Sequence, residues 1–168
     1  LTVTGRRADG YHTIESLFQS VSLCDKLTLE QRERGFWLNE TAGIPAEENI
    51  ITRADRLLRR EFPNLGGVAV TLEKNIPTQA GLGGGSTDAA AYLRGMDRLY
   101  GLGLGREGLW ALAAELGADV PFCIDGGAAA AAGIGEKLTP VESHLPLWLV
   151  ITKPKAGCST PAMYRRID

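Results

Sequence analysis

Residues 77–96 read PTQAGLGGGSTDAAAYLRGM, and this stretch decides the fold. Four glycines, Gly81, Gly83, Gly84 and Gly85, are broken only by Leu82, and a run rich in alanine follows at once. Upstream, GVAVTLEKNIP over residues 67–77 has the apolar alternation of a strand. Downstream, Ser86 is expected to N-cap a helix through about Tyr100. Asp88 then falls in its first turn, where the positive end of the helix dipole favours a carboxylate. Strand, glycine loop and helix N-terminus together make a phosphate-binding arrangement. Backbone amides approach oxyanions only where no side chain intervenes, and the unpaired N–H groups of the next helix complement the charge. No Lys-Ser or Lys-Thr follows the glycines, so the loop is not of the Walker type. Ser86 stands where a dinucleotide fingerprint would need its third glycine.

Working outward, Ile50, Ile51, Ala54, Leu57 and Leu58 share one helical face. That helix opens at Asn49 and ends before Pro63 and the Gly66-Gly67 pair. Towards the N-terminus, LTVT, YHTIESLFQSVSL, DKLTLEQ and GFWLNE predict a small antiparallel meander, with turn chemistry at Asp9-Gly10. Beyond the loop helix, REGLWALAAEL predicts a second helix capped at Gly117. For GGAAAAAGIGEKLTPV, alanine propensity favours helix, whereas the flanking glycines and the Gly-Glu-Lys turn favour a strand, the reading adopted here. LPLWLVITKP predicts a buried strand, with a domain boundary at His144 to Pro146 dividing the chain into 1–144 and 145–168.

The chain has 168 residues, 44% hydrophobic and 23% charged, which suits one packed domain with part of a second. A net charge of -2 argues against a nucleic-acid surface or an anionic-membrane anchor, and no apolar run approaches the ~20 residues that span a bilayer. Cys24, Cys123 and Cys158 lack paired metal-ligand spacing and are expected to be free thiols in a reducing compartment. The expected partner is a small molecule. The opening LTVTG, without methionine, reads as a strand already under way, and STPAMYRRID reads as the start of a helix, so the sequence is expected to begin inside a domain.

Five segments in order carry a resemblance over essentially the whole chain: GRRADGYHTIESLFQSVSLCDKL, ENIITRA, GLGGGSTDAAA, LGADVPFCIDGGAAAAAGIGEKLTP and KPKAGCSTPAMY. Together they resemble the GHMP superfamily of small-molecule kinases, typified by galactokinase, homoserine kinase, mevalonate kinase and phosphomevalonate kinase. Within it they are most similar to the branch acting on a cytidine-diphosphate alcohol of non-mevalonate isoprenoid synthesis. The resemblance implies an α+β fold: an N-terminal domain like the second domain of ribosomal protein S5 over 1–144, and the beginning of a ferredoxin-like C-terminal domain over 145–168.

It further implies ATP and Mg²⁺, with transfer of the γ-phosphoryl group to a hydroxyl of the cytidine substrate. Pro77, Thr78, Gln79, Ala80, Gly81, Leu82, Gly83, Gly84, Gly85, Ser86 and Thr87 would cradle ATP, the hydroxyls of Ser86 and Thr87 lying near the phosphates or Mg²⁺. No side-chain metal site is assigned. Asn49 would lie near the adenine, besides reading as a plain N-cap. Asp119, which by itself reads as an N-cap before Pro121, would be the base. Tyr11 and His12 would recognise the cytosine, with Tyr164 closing from the other side and Thr160 nearby. A catalytic lysine is expected upstream of Leu1, and the 168 residues alone are expected to lack appreciable kinase activity. The implied setting is a bacterial cytoplasm, with a plastid as the alternative. Another kinase of the superfamily and a non-catalytic ATP sensor are the competing readings.

Overall fold

The computed structural model describes residues 1–39, 44–142, 147–154, 163, 164 and 167. The fold is α+β. Its strands are β1 (Thr2–Arg6), β2 (His12–Gln19), β3 (Lys26–Arg32), β4 (Phe36–Leu38), β5 (Gly67–Glu73), β6 (Ala128–Ala132) and β7 (Lys137–Pro140). The α-helices are α1 (Ile50–Glu61), α2 (Gly84–Tyr100), α3 (Gly105–Leu116) and α4 (Val120–Asp125), with a short 3₁₀ turn at Ala46–Glu48 ahead of α1.

The strands form two sheets. One runs β1-β2-β6-β7, antiparallel throughout, and the other β3-β5-β4, with β5 antiparallel to β3 and parallel to β4. The Asp9-Gly10 turn joins β1 and β2 as expected: Arg7 N–H donates to Tyr11 O at 2.7 Å and Gly10, at φ +88°, donates to Arg7 O at 3.0 Å. A single meander over the first four strands does not form. The second edge of β2 goes to the alanine strand β6, and β3 pairs with β5 across seven residues. Burial decides this, because Val68, Val70 and Leu72 make β5 the most buried strand and it takes the centre of its sheet. The parallel β4–β5 pair then needs a crossover, which α1 supplies. The alanine run is a strand, as read.

One core lies between the β3-β5-β4 sheet and the helices. It gathers Ile51, Ala54 and Leu58 of α1, Val68, Val70 and Leu72 of β5, Tyr92, Leu93 and Met96 of α2, and Val120 of α4. Gly95 lets α2 come down on β3, since a Cβ there would overlap Leu29 Cδ1. A buried polar cluster lies beside this core: Asp55 accepts from Tyr92 Oη at 2.7 Å and from Arg59 Nε at 2.8 Å.

Residues 147–154 differ from expectation. They form no strand, and Trp148 and Val150 are each 96% exposed, so the apolar run lies in water rather than in a sheet. Apolar alternation makes a buried strand only where a neighbouring edge accepts its hydrogen bonds, and no described residue pairs with it. The proposed boundary at 144–146, and Cys158, lie outside the described residues. Cys24 and Cys123 are free thiols.

Candidate active site

Strand β5 delivers the chain to the glycine loop through Lys74, Asn75 and Ile76. Asp25, ahead of β3, fixes that exit, its Oδ1 accepting from Asn75 N–H at 2.6 Å and from Ile76 N–H at 2.8 Å. The loop then turns through left-handed backbone at Gln79 (φ +53°), Gly81 (+68°) and Gly83 (+66°). A Cβ at Gly81 or Gly83 would meet nothing within 4 Å, so open space lies over the loop backbone. At Gly84 a Cβ would come within 3.0 Å of Ile76 Cγ2 and 3.3 Å of Lys74 Nζ, and glycine lets the helix start sit directly on both.

Helix α2 begins at Gly84 with Gly83 as its cap, not at Ser86. Two left-handed glycines let the backbone enter the helix without a capping side chain, so Ser86 lies inside the first turn. The first intrahelical bond runs from Thr87 N–H to Gly83 O at 2.9 Å, leaving the N–H groups of Gly84, Gly85 and Ser86 directed out of the helix end. Thr87 Oγ1 is turned back to Gly84 O at 2.8 Å. The cleft over this end, about 540 Å³, is lined by every residue from 77 to 86, with Asn49, Ile50, Lys74 and Asp88. Asn49 caps α1, accepting from Ile51 N–H at 2.9 Å, and also borders the cleft.

Asp88 is not a first-turn dipole partner. It is the fifth residue of α2, buried, and its Oδ2 accepts from Lys74 Nζ at 2.7 Å. Lys74 also pairs with Asp25, so two carboxylates share one ammonium. The lysine stays charged, its pKa raised against desolvation by both carboxylates. Burial raises Asp88 to about 6, Lys74 only partly opposing it, whereas Asp25 is lowered because Lys74 and two backbone N–H groups outweigh its own desolvation. Sequence reading missed Lys74 and Asp25. The available signal was a lone cation between the strand and the loop.

A second cleft, about 560 Å³, shares Ile76, Gly81, Leu82, Gly83 and Asp88 with the first and contains Asp119. Asp119 occupies the N-cap position of α4, yet its side chain makes no capping bond. Its carboxylate accepts no hydrogen bond among the described residues. Although the side chain reaches the surface at the cleft mouth, desolvation by surrounding protein raises its pKa. Phe18 and Phe122, edge to face at 5.3 Å, line the same cleft. Burial there pushes the Cys123 thiol up to about 12, so it remains protonated.

Tyr11, His12 and Tyr164 line neither cleft. Tyr11 is 61% exposed, and the Tyr164 ring stacks on His12 (5.1 Å between centroids, 20° between planes). Thr160 lies outside the described residues. His12, Ile14 and Phe18 share one face of β2. Ile14 and Phe18 converge on the Cβ position of Gly135 at 3.9 and 3.6 Å, and Asp119 Oδ1 reaches the same point at 3.4 Å. One face of β2 therefore runs from His12 towards Asp119.

Residues 49–127, spanning the glycine loop and Asp119, match the GHMP kinases N terminal domain. Over these residues the chain is similar to that family. Two curated relatives named 4-diphosphocytidyl-2-C-methyl-D-erythritol kinase, from Alkaliphilus metalliredigens and Moorella thermoacetica, are each 46% identical over 171 aligned residues, covering 100% of this chain and 59% of the relative. A crystal structure of 4-(cytidine 5'-diphospho)-2C-methyl-D-erythritol kinase superposes with a TM-score of 0.82 at 40% identity, covering 99% of this chain and 59% of that one. The chain spans about three-fifths of the length of these relatives.

Proposed function

We propose that this chain supplies the phosphate-binding loop and the base of a kinase that transfers the γ-phosphoryl group of ATP to the 2-hydroxyl of 4-diphosphocytidyl-2-C-methyl-D-erythritol, in isoprenoid precursor synthesis. The relatives' shared name supports the substrate. The observation that carries the reaction is Asp119: a carboxylate without a hydrogen-bond partner among the described residues, in a cleft continuous with the glycine loop.

In this reading the N–H groups of Gly84, Gly85 and Ser86 bind the nucleotide phosphates, and Lys74, held by two carboxylates behind the loop, fixes the join of strand and loop rather than adding net charge. The loop offers the cleft the hydroxyl oxygens of Thr78 and Ser86. That fits Mg²⁺, which keeps several waters and takes substrate phosphates as ligands; the Ser86 hydroxyl would hold it, and it would neutralise phosphate charge. Asp119 accepts the proton of the attacking hydroxyl and orients its oxygen. Most of the catalysis is then positioning and charge stabilisation. Along β2, His12 and Tyr11 receive the cytosine, with Tyr164 on the His12 side.

The test measures ADP release by the whole protein with the cytidine-diphosphate alcohol, mevalonate and homoserine. Turnover on the first alone is expected. Turnover on another alcohol would reassign the substrate, and ATP binding with no ADP from any would leave a non-catalytic sensor.

A further inference from the structure

Four charged side chains line the second cleft: Asp25, Asp88, Asp119 and Arg94. The first two are committed to Lys74, which itself lines the neighbouring cleft. Asp119 and Arg94 remain. Arg94 makes no ion pair among the described residues; its Nη1 donates to the Ile124 carbonyl at 3.2 Å, tying α2 to α4, and its other N–H groups have no acceptor there. Thr87, Ala91 and Arg94 stand at i, i+4 and i+7, so a single stripe of α2 faces the cleft. The helix carries Arg94 about 10 Å along its axis from Thr87.

We propose that Arg94 is a phosphate-binding residue of this cleft, a site that nothing in the glycine loop provides. The inference rests on the reading of the cleft as a substrate site. A phosphorylated ligand entering beside the Asp119 carboxylate meets like charge and needs a cation whose charge is not already neutralised. Lys74 is neutralised by its two carboxylates; Arg94 is not. Its planar fork presents parallel donors to phosphate oxygens, and the Ile124 anchor fixes the fork in advance. Two phosphate sources meet this description: the terminal phosphates of the nucleotide and the diphosphate of the alcohol substrate.

Arg94→Met and Arg94→Lys, made in the whole protein, separate them. Titration calorimetry with ATP, with CDP and with cytidine is combined with KM and kcat for each substrate and a melting temperature. Arg94→Met is expected to weaken a phosphorylated ligand about 10- to 100-fold, the range for one charged hydrogen-bonded pair, and to leave cytidine unchanged. Arg94→Lys should recover part of that loss. A loss confined to ATP assigns the arginine to the nucleotide, and one confined to CDP assigns it to the second substrate. Unchanged affinity for both in a folded Arg94→Met protein overturns the proposal. So does an equal loss in both variants that tracks a fallen melting temperature, because Arg94 would then only clamp α2 to α4. If the wild-type protein phosphorylates no alcohol, the kinase reading fails, and the calorimetry still decides the role of Arg94.

Discussion

At Asp119 a carboxylate stands at the head of α4 without capping it. The site keeps that oxygen available at a cost in desolvation, which raises the pKa. As the proposed base, Asp119 must be deprotonated, so kcat/KM should fall as pH drops through a pKa above the ordinary aspartate range, and a pH–rate profile locates it. The stability effect has the opposite sense. A carboxylate whose pKa is raised by folding contributes stability below its unfolded pKa and loses it as pH rises through the folded one. Asp119→Asn should therefore melt no lower than wild type at pH 8, and any advantage should vanish below about pH 4, as calorimetry at the two pH values would show. At Gly83 the constraint is conformational. Gly83→Ala finds open space but must adopt φ +66°, so denaturant unfolding should show a loss of about 1–2 kcal/mol.

Between elements, the join of β5 to α2 depends on Lys74. Lys74→Met would leave Asp25 and Asp88 facing each other without their shared cation. A destabilisation of about 3 kcal/mol or more in urea unfolding is expected, because removing one partner strands buried charge. Asp25→Asn should cost less, since its backbone acceptor bonds survive in part. The strand, loop and helix around this join were legible because local chemistry dictates each one: β alternation in residues 67–73, glycine at left-handed positions, an Asn49 cap on α1. The Lys74 cluster was not legible, since Asp25 lies 49 residues from its partner and only tertiary pairing of β3 with β5 unites them. The same reason hid the pairing of β2 with β6. Helix α2 starts three residues earlier than the Ser86 cap suggested, because glycine geometry replaced side-chain capping. For Asp119, residue type and position favoured a cap; the absence of any capping bond separates it from that role.

Across the molecule, two connected clefts meet at the glycine loop, and the one core lies behind them in the β3-β5-β4 sheet and its helices. The apolar run at 147–151 stands apart from that core, with Trp148 almost wholly in water. Trp148 should accordingly account for most acrylamide-quenchable fluorescence of this chain beyond that of the half-exposed Trp37, and Trp148→Phe should remove it. In the proposed function, phosphate binding and proton acceptance fall to different elements, α2 and the head of α4, so one should be removable without the other. The most direct measurement compares wild type with Asp119→Asn in the whole protein, following ADP release with the cytidine-diphosphate alcohol while calorimetry records the affinity for both substrates. Retained affinity with turnover reduced about a hundredfold or more is the predicted result, and near-normal turnover by the asparagine variant would contradict it.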